Sequence, residues 1–188
     1  MKKSELPLTG VHDKAHWQPV WDIDKFLDPT GQVAKLSQRG MSIARLNRMF
    51  SKQYLGRAHF KGNLLLNSGI NVAWGLICGA GGTAFDNTHA YIGVGDSSAS
   101  PSDATKTGIQ AATNRLNKAM DATYPLAAAS QAEVWRSTFG TSDANFAWNE
   151  ITVSDANDFT HALNRLVSAM GTKASGATWI AALTITLS

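Results

Sequence analysis

Period-two alternation of apolar and polar positions dominates the chain from His89 onward. The clearest case is Ala177 to Leu187. There Trp179, Ala181, Leu183, Ile185 and Leu187 share one face, and Thr178, Thr184 and Thr186 share the other. Ala132 to Phe139 also alternates, with Val134 and Arg136 opposite Trp135 and Phe139. His89 to Gly95, Arg115 to Tyr124, Phe146 to Val153 and His161 to Val167 read as further strands. The loop Ser97 to Thr107 and the turns Gly140-Thr-Ser-Asp143 and Gly171-Thr-Lys separate these runs. About five to seven short antiparallel strands predict a mainly β body, an antiparallel β-sandwich or jelly-roll-like domain over residues 63–188.

The front of the chain follows other rules. Residues 1–31 carry Pro7, Pro19 and Pro29 without sustained periodicity, which predicts an extended arm. Trp17, Trp21 and Phe26 in that segment need a surface to bury against, either the protein's own domain or a neighbour. Residues 41–55 read as a short helix. Ser42 can cap it, Ile43, Leu46, Met49 and Phe50 recur on one side, and Gly56 is a stop. Arg45, Arg48 and Lys52 make the other side basic. A strand at Leu64-Leu65-Leu66 and a helix from Ser68 through Trp74 and Leu76 follow. The expected organisation is therefore a basic N-terminal arm over 1–62, with one or two short helices, joined to the sandwich.

Charge sharpens that division. Residues 1–62 hold 11 Lys and Arg against 5 Asp and Glu, while the rest hold 6 against 9. A basic front on a mildly acidic body suggests two parts with different jobs. Met1-Lys2-Lys3 runs into Ser4-Glu5-Leu6-Pro7 rather than an apolar stretch, so no secretory leader is expected. The apolar segment Asn63 to Ala80 is interrupted by Asn67, Ser68, Gly69 and Asn71, which argues against a bilayer span.

Candidate chemistry is sparse. Cys78 is the single cysteine and lies in an apolar run, so it reads as a small buried hydrophobe in a reducing compartment. The glycines at Gly79-Ala-Gly-Gly82 lack the Lys-Ser/Thr of a phosphate loop. The histidines, His12, His16, His59, His89 and His161, show no zinc-motif spacing. Asp143, Glu150, Asp155 and Asp158 read as turn formers rather than a paired acid and base. No catalytic, cofactor or metal residues are assigned. The cations Arg39, Arg45, Arg48, Lys52 and Arg57 could follow phosphates, but an acidic protein surface suits them better than nucleic acid.

The stretch Asn63 to Ser188 resembles a family of tailed-bacteriophage virion proteins. The segments that carry the likeness begin with Asn63-Leu-Leu-Leu-Asn-Ser-Gly-Ile70, Ala90-Tyr-Ile-Gly-Val-Gly-Asp96 and Val134-Trp-Arg-Ser-Thr-Phe139. Ala144-Asn-Phe-Ala-Trp-Asn-Glu-Ile151, Leu163-Asn-Arg-Leu-Val167 and Thr178 to Leu187 continue the series. The resemblance implies a β-sandwich domain of phage structural proteins, on the capsid exterior or in the tail, without enzymatic activity. With the arm, this leads to the expectation of a capsid cement or decoration protein in the virion, made in the host cytoplasm. Its partners would be the major capsid protein or other virion proteins, and it would self-associate, for instance as a trimer. Trp17, Trp21 and Phe26 would anchor the arm, and Arg45, Arg48 and Lys52 would face the partner. A tail, neck or baseplate component is the alternative, as is a receptor- or glycan-binding module with Trp135 or Trp148 as platform.

Overall fold

The computed structural model describes residues 16–129 and 131–188. The first half of the chain forms β1 (Trp17–Leu27), α1 (Gln32–Gln38), α2 (Ile43–Met49), β2 (Tyr54–Lys61), β3 (Leu64–Leu65) and α3 (Asn67–Ile77). The second half forms β4 (Tyr91–Gly95), β5 (Arg115–Ala119), β6 (Leu126–Ala129), β7 (Ala132–Phe139), β8 (Ala147–Ser154), β9 (Ala162–Thr172) and β10 (Ala177–Leu187). One sheet has the order β2-β1-β10-β7-β6, the other β3-β9-β8-β4-β5, and every pairing is antiparallel. The mainly β sandwich expected from the alternation is the fold.

The arm is the principal correction. From Trp17 onward the front of the chain belongs to the body, because β1 lies between β10 and β2 inside the first sheet. Trp21 and Ile23 enter the main core, and Phe26, on the opposite face, enters a second one with Val33, Leu46 and Ile180. A boundary at residue 62 would cut through a continuous sheet. Pro19, which argued against a strand, is tolerated for a local reason. Its carbonyl accepts the Gly62 N–H on the β2 side, just where β2 has ended, so its missing donor leaves no gap in the ladder. Residues 1–15 of the expected arm lie outside the described residues.

The main core is built by the facing sides of the two sheets. Trp148 sits between Phe139 and Trp179, with ring centroids 4.7 and 4.8 Å away and edge-on geometry, and its Nε1 donates to the Ala144 carbonyl. The β8–β9 register slips between Trp148 and Glu150. That irregularity lets Trp148, Ile151 and Val153 all face inward, although their numbers differ in parity, and it turns Glu150 and Thr152 to the outer face.

Both outer faces are partly covered. On the first sheet, the Asp28 carboxylate caps α1 by accepting the Val33 and Ala34 N–H groups at 3.2 and 3.0 Å, and it takes the Thr178 hydroxyl at 2.8 Å. Arg136, on β7, donates to Asp121 at 2.8 Å and to the Ser37 and Met41 carbonyls at 2.8 and 3.0 Å, fastening the end of α1. Burial holds the Asp121 carboxyl above its ordinary value despite that guanidinium. On the second sheet, the loop after β4 folds back over Gly93 and Gly95. A Cβ at Gly95 would lie 2.6 Å from a Glu150 oxygen and 2.9 Å from Ala111, so only glycine admits the loop this closely.

Candidate interaction surfaces

Helix α2 covers Ile43–Met49 rather than the whole of 41–55, because Tyr54 and Leu55 already belong to β2, paired with β1. Ser42 Oγ accepts the Arg45 N–H at 3.4 Å, Leu46 is wholly buried, and Ile43 and Phe50 pack beside it. Burying that stripe against Phe26 and Ile180 turns Arg45 and Arg48 outward, and Lys52 follows in the next turn, also exposed. Lys35 and Arg39 on the α1 side join them. Arg39 and Arg45 flank a hollow of about 390 Å³ floored by Leu36 and Met41. None of these five cations takes part in an ion pair among the described residues. Arg57, grouped with them in the sequence, is engaged elsewhere. Its Nε and Nη2 donate to the two Asp24 oxygens at 3.1 and 3.0 Å.

The expected aromatic anchors are not on a partner-facing arm. Trp21 and Phe26 have no exposed surface, so both are core residues of their own chain. Trp17 is half-buried, donates from Nε1 to Asn63 at 3.2 Å, and lines an apolar cleft of about 610 Å³. Leu163, Trp135, Ile185 and Leu187 line the cleft from the sheets, and Ala73 and Leu76 of α3 and Phe85 complete its walls.

That cleft adjoins the second surface. Helix α3 reaches the body through Gly69, its one buried residue, where a Cβ would fall 2.5 Å from Leu163 Cα. Beyond that contact Trp74, Leu76 and Ile77 are exposed, and so is Leu187 across the cleft. Cys78, read as a buried hydrophobe, is exposed at the end of this helix, because α3 stands clear of the sheets after its first turn. The two surfaces are separated along β10. Ile180 packs under α2, while Ile185 and Leu187 line the cleft, about 17 Å further on at the strand rise.

Other polar groups are occupied structurally. Glu150 is not a turn former but the centre of a buried network. It accepts from the Gln110 and Ala111 N–H groups at 3.0 and 2.7 Å and from Arg165 Nε at 2.8 Å, while Arg165 also donates to the Ala99 and Ser100 carbonyls. Asp158 does hold a turn, and the Thr160 hydroxyl keeps its carboxyl below the ordinary range. His59 and His89 each lie 2.8 Å from an aspartate, Asp22 and Asp86 respectively. Burial pushes the Lys173 ammonium down to about 8, and its Nζ donates to Asn145 at 2.8 Å. Among the described residues no three His, Cys, Asp or Glu side chains gather in a metal-binding arrangement, and no helix is long and apolar enough to cross a membrane. Trp148 is enclosed in the core and Trp135 is half-buried, its Nε1 donating to the Phe85 carbonyl at 2.9 Å.

Comparison with known proteins gives no neighbour: no family model, curated protein or solved structure matches the chain.

Proposed function

We propose that the chain is a non-enzymatic structural protein of a tailed double-stranded-DNA phage particle, acting as a cement or decoration protein on the capsid. The reading starts from the resemblance of residues 63–188, whose segments coincide with β3 and the start of α3, β4, β7, β8, β9 and β10. The observation that carries it is the basic face. Five exposed cations with no ion-pair partner among the described residues stand on two short helices and the turns that end them, packed on the sandwich. Cations held that way attract an acidic protein surface and steer its approach, with the rim charges mainly setting association rate and salt dependence. In this reading Arg45, Arg48 and Lys52 face acidic side chains of the major capsid protein, on either side of the Arg39–Arg45 hollow.

The test is co-sedimentation of purified protein with empty, undecorated capsids, using the wild type and the triple variant Arg45→Glu, Arg48→Glu, Lys52→Glu. Saturable binding at many copies per particle, weakened at least tenfold by charge reversal, is the expected result. No binding by the wild type would sink the cement reading. Binding to isolated tails at low copy number would move the protein to the tail or baseplate instead.

A further inference from the structure

Helix α3 is apolar around most of its circumference. At 100° per residue, Gly69, Ala73 and Leu76 form one stripe, toward Leu163 and the cleft. Ile70, Trp74 and Ile77, at i, i+4 and i+7, form a second stripe beside it, with Ile70 partly buried and Trp74 and Ile77 exposed. A helix with one apolar stripe is satisfied by its own domain. A second stripe has to be covered by something else. The helix and the segments flanking it are uncharged as well: no Asp, Glu, Lys or Arg occurs from Gly62 to Phe85.

We propose that a second copy of this chain covers this surface, with the Ile70–Trp74–Ile77 stripe of each copy packing on α3 and the adjoining cleft of the other. Three features select that occupant. The apolar stripes of two α3 helices meet without like-charge repulsion, Glu133 on the cleft wall lying apart from them on β7, and self-complementary contact is how homo-oligomers ordinarily close. The cleft, about 610 Å³, readily admits an indole, and Trp74 is the large aromatic that stands beside it. The area is also adequate. Trp74, Leu76, Ile77 and Leu187 are 60, 42, 73 and 51% exposed. At roughly 250 Å² for Trp and 120 Å² for each aliphatic side chain, that amounts to about 350 Å² of apolar surface per copy. Two copies bring about 700 Å² from these four side chains alone, against the roughly 1,000 Å² that a specific interface needs. Ile70, Phe85 and the glycine-rich backbone after α3 lie alongside to supply the rest.

Sedimentation velocity on the full chain at about 10–100 µM tests this. The wild type is expected to run above the 20.1 kDa of one chain, and Trp74→Glu to run as a single chain with an unchanged circular dichroism spectrum and urea midpoint. Ile77→Ser, a milder change at an exposed position, is expected to weaken association at least tenfold. A wild type that stays monomeric across the range, or variants that keep the wild-type mass, would overturn the proposal. A monomeric wild type that needs Trp74 for capsid binding would assign the surface to a virion partner and equally overturn self-association. Because charge reversal on α2 reads capsid binding and Trp74→Glu reads mass, failure of the cement reading and failure of this one are told apart.

Discussion

Glu150→Gln is the most informative single substitution in the body. The Glu150 side chain is fully buried, and each hydrogen-bond partner it has is a donor: the Gln110 and Ala111 N–H groups and the Arg165 guanidinium. An amide of the same shape makes no cavity, so the usual cost of core truncation is absent. It does leave an NH₂ group with no acceptor, and it strips the buried Arg165 of its counter-charge. Breaking a buried ion pair from one side costs about 3–5 kcal/mol, a large share of the 5–15 kcal/mol that holds a typical domain together. With a urea slope of about 2 kcal/mol per molar, the unfolding midpoint should fall by roughly 1.5–2.5 M. Arg165→Met should cost a similar amount. The double variant Glu150→Leu, Arg165→Met should cost well under the sum, since an apolar pair leaves neither charge stranded.

A local readout accompanies the global one. Glu150 and Arg165 hold the loop after β4 at both of its ends, through residues 99–100 and 110–111. Lys106 lies between those anchor points. Trypsin should therefore cut after Lys106 faster in Glu150→Gln than in the wild type, under conditions where both are folded. Singles that each cost under about 1 kcal/mol and leave the loop protected would refute the reasoning, because the pair would then be behaving like a solvated one.

Gly69→Ala sets two effects against each other: a gain of up to about 1 kcal/mol in helix propensity and a Cβ driven to 2.5 Å from the Leu163 backbone. Backbone cannot swing aside, so the clash should win, with a net loss of about 1–3 kcal/mol in urea unfolding; a stabilised variant would mean that α3 does not rest on β9 there. Lys173 has a folded-state pKa lowered to about 8 by burial, so between that value and its unfolded value near 10.4 the unfolded chain binds the extra proton. Stability should rise with pH across that window, by about 1–2 kcal/mol after solvent screening, and Lys173→Met should lack that rise; parallel pH profiles for the two proteins would contradict it. Cys78 should react with a thiol reagent at the rate of an unhindered cysteine in Trp74→Glu without denaturant, whereas reaction only on unfolding would return it to the core.

The strands that could be read from the sequence are those with one face in the core and one outside. β10 begins and ends where its alternation predicts, and β7 does too. β1 was illegible because it buries side chains on both faces, Trp21 and Ile23 on one and Asp24 and Phe26 on the other, which erases the period, and because Pro19 pointed away from a strand. β2 does alternate, with Tyr54, Ala58 and Phe60 less exposed than Leu55, Arg57 and His59, but Gly56 read as a helix stop hid it. Glu150 was misread because the register slip beside it is set by pairing with β9, which no local pattern reports. The basic face was legible residue by residue, since a helix presents its charged side wherever it docks. The exposed face of α3 was not. An apolar run reads as core, and only the assembled sandwich shows that the body covers it chiefly at Gly69.

The position of β1 changes what a truncation would mean. On the arm reading, a chain beginning near Asn63 should keep an intact body. In the structure it loses two of the five strands of the first sheet and leaves β10, a core strand paired on both sides, as an open edge. It also removes Trp21, Ile23 and Phe26, all wholly buried. At about 2–5 kcal/mol for each such side chain, their loss alone matches or exceeds the stability of an ordinary domain. A chain starting at Asn63 should therefore fail to unfold cooperatively, whereas the full chain should melt in one cooperative step. If the shorter one instead melts cooperatively with native β content, β1 and β2 are an appendage after all, and the division at residue 62 stands.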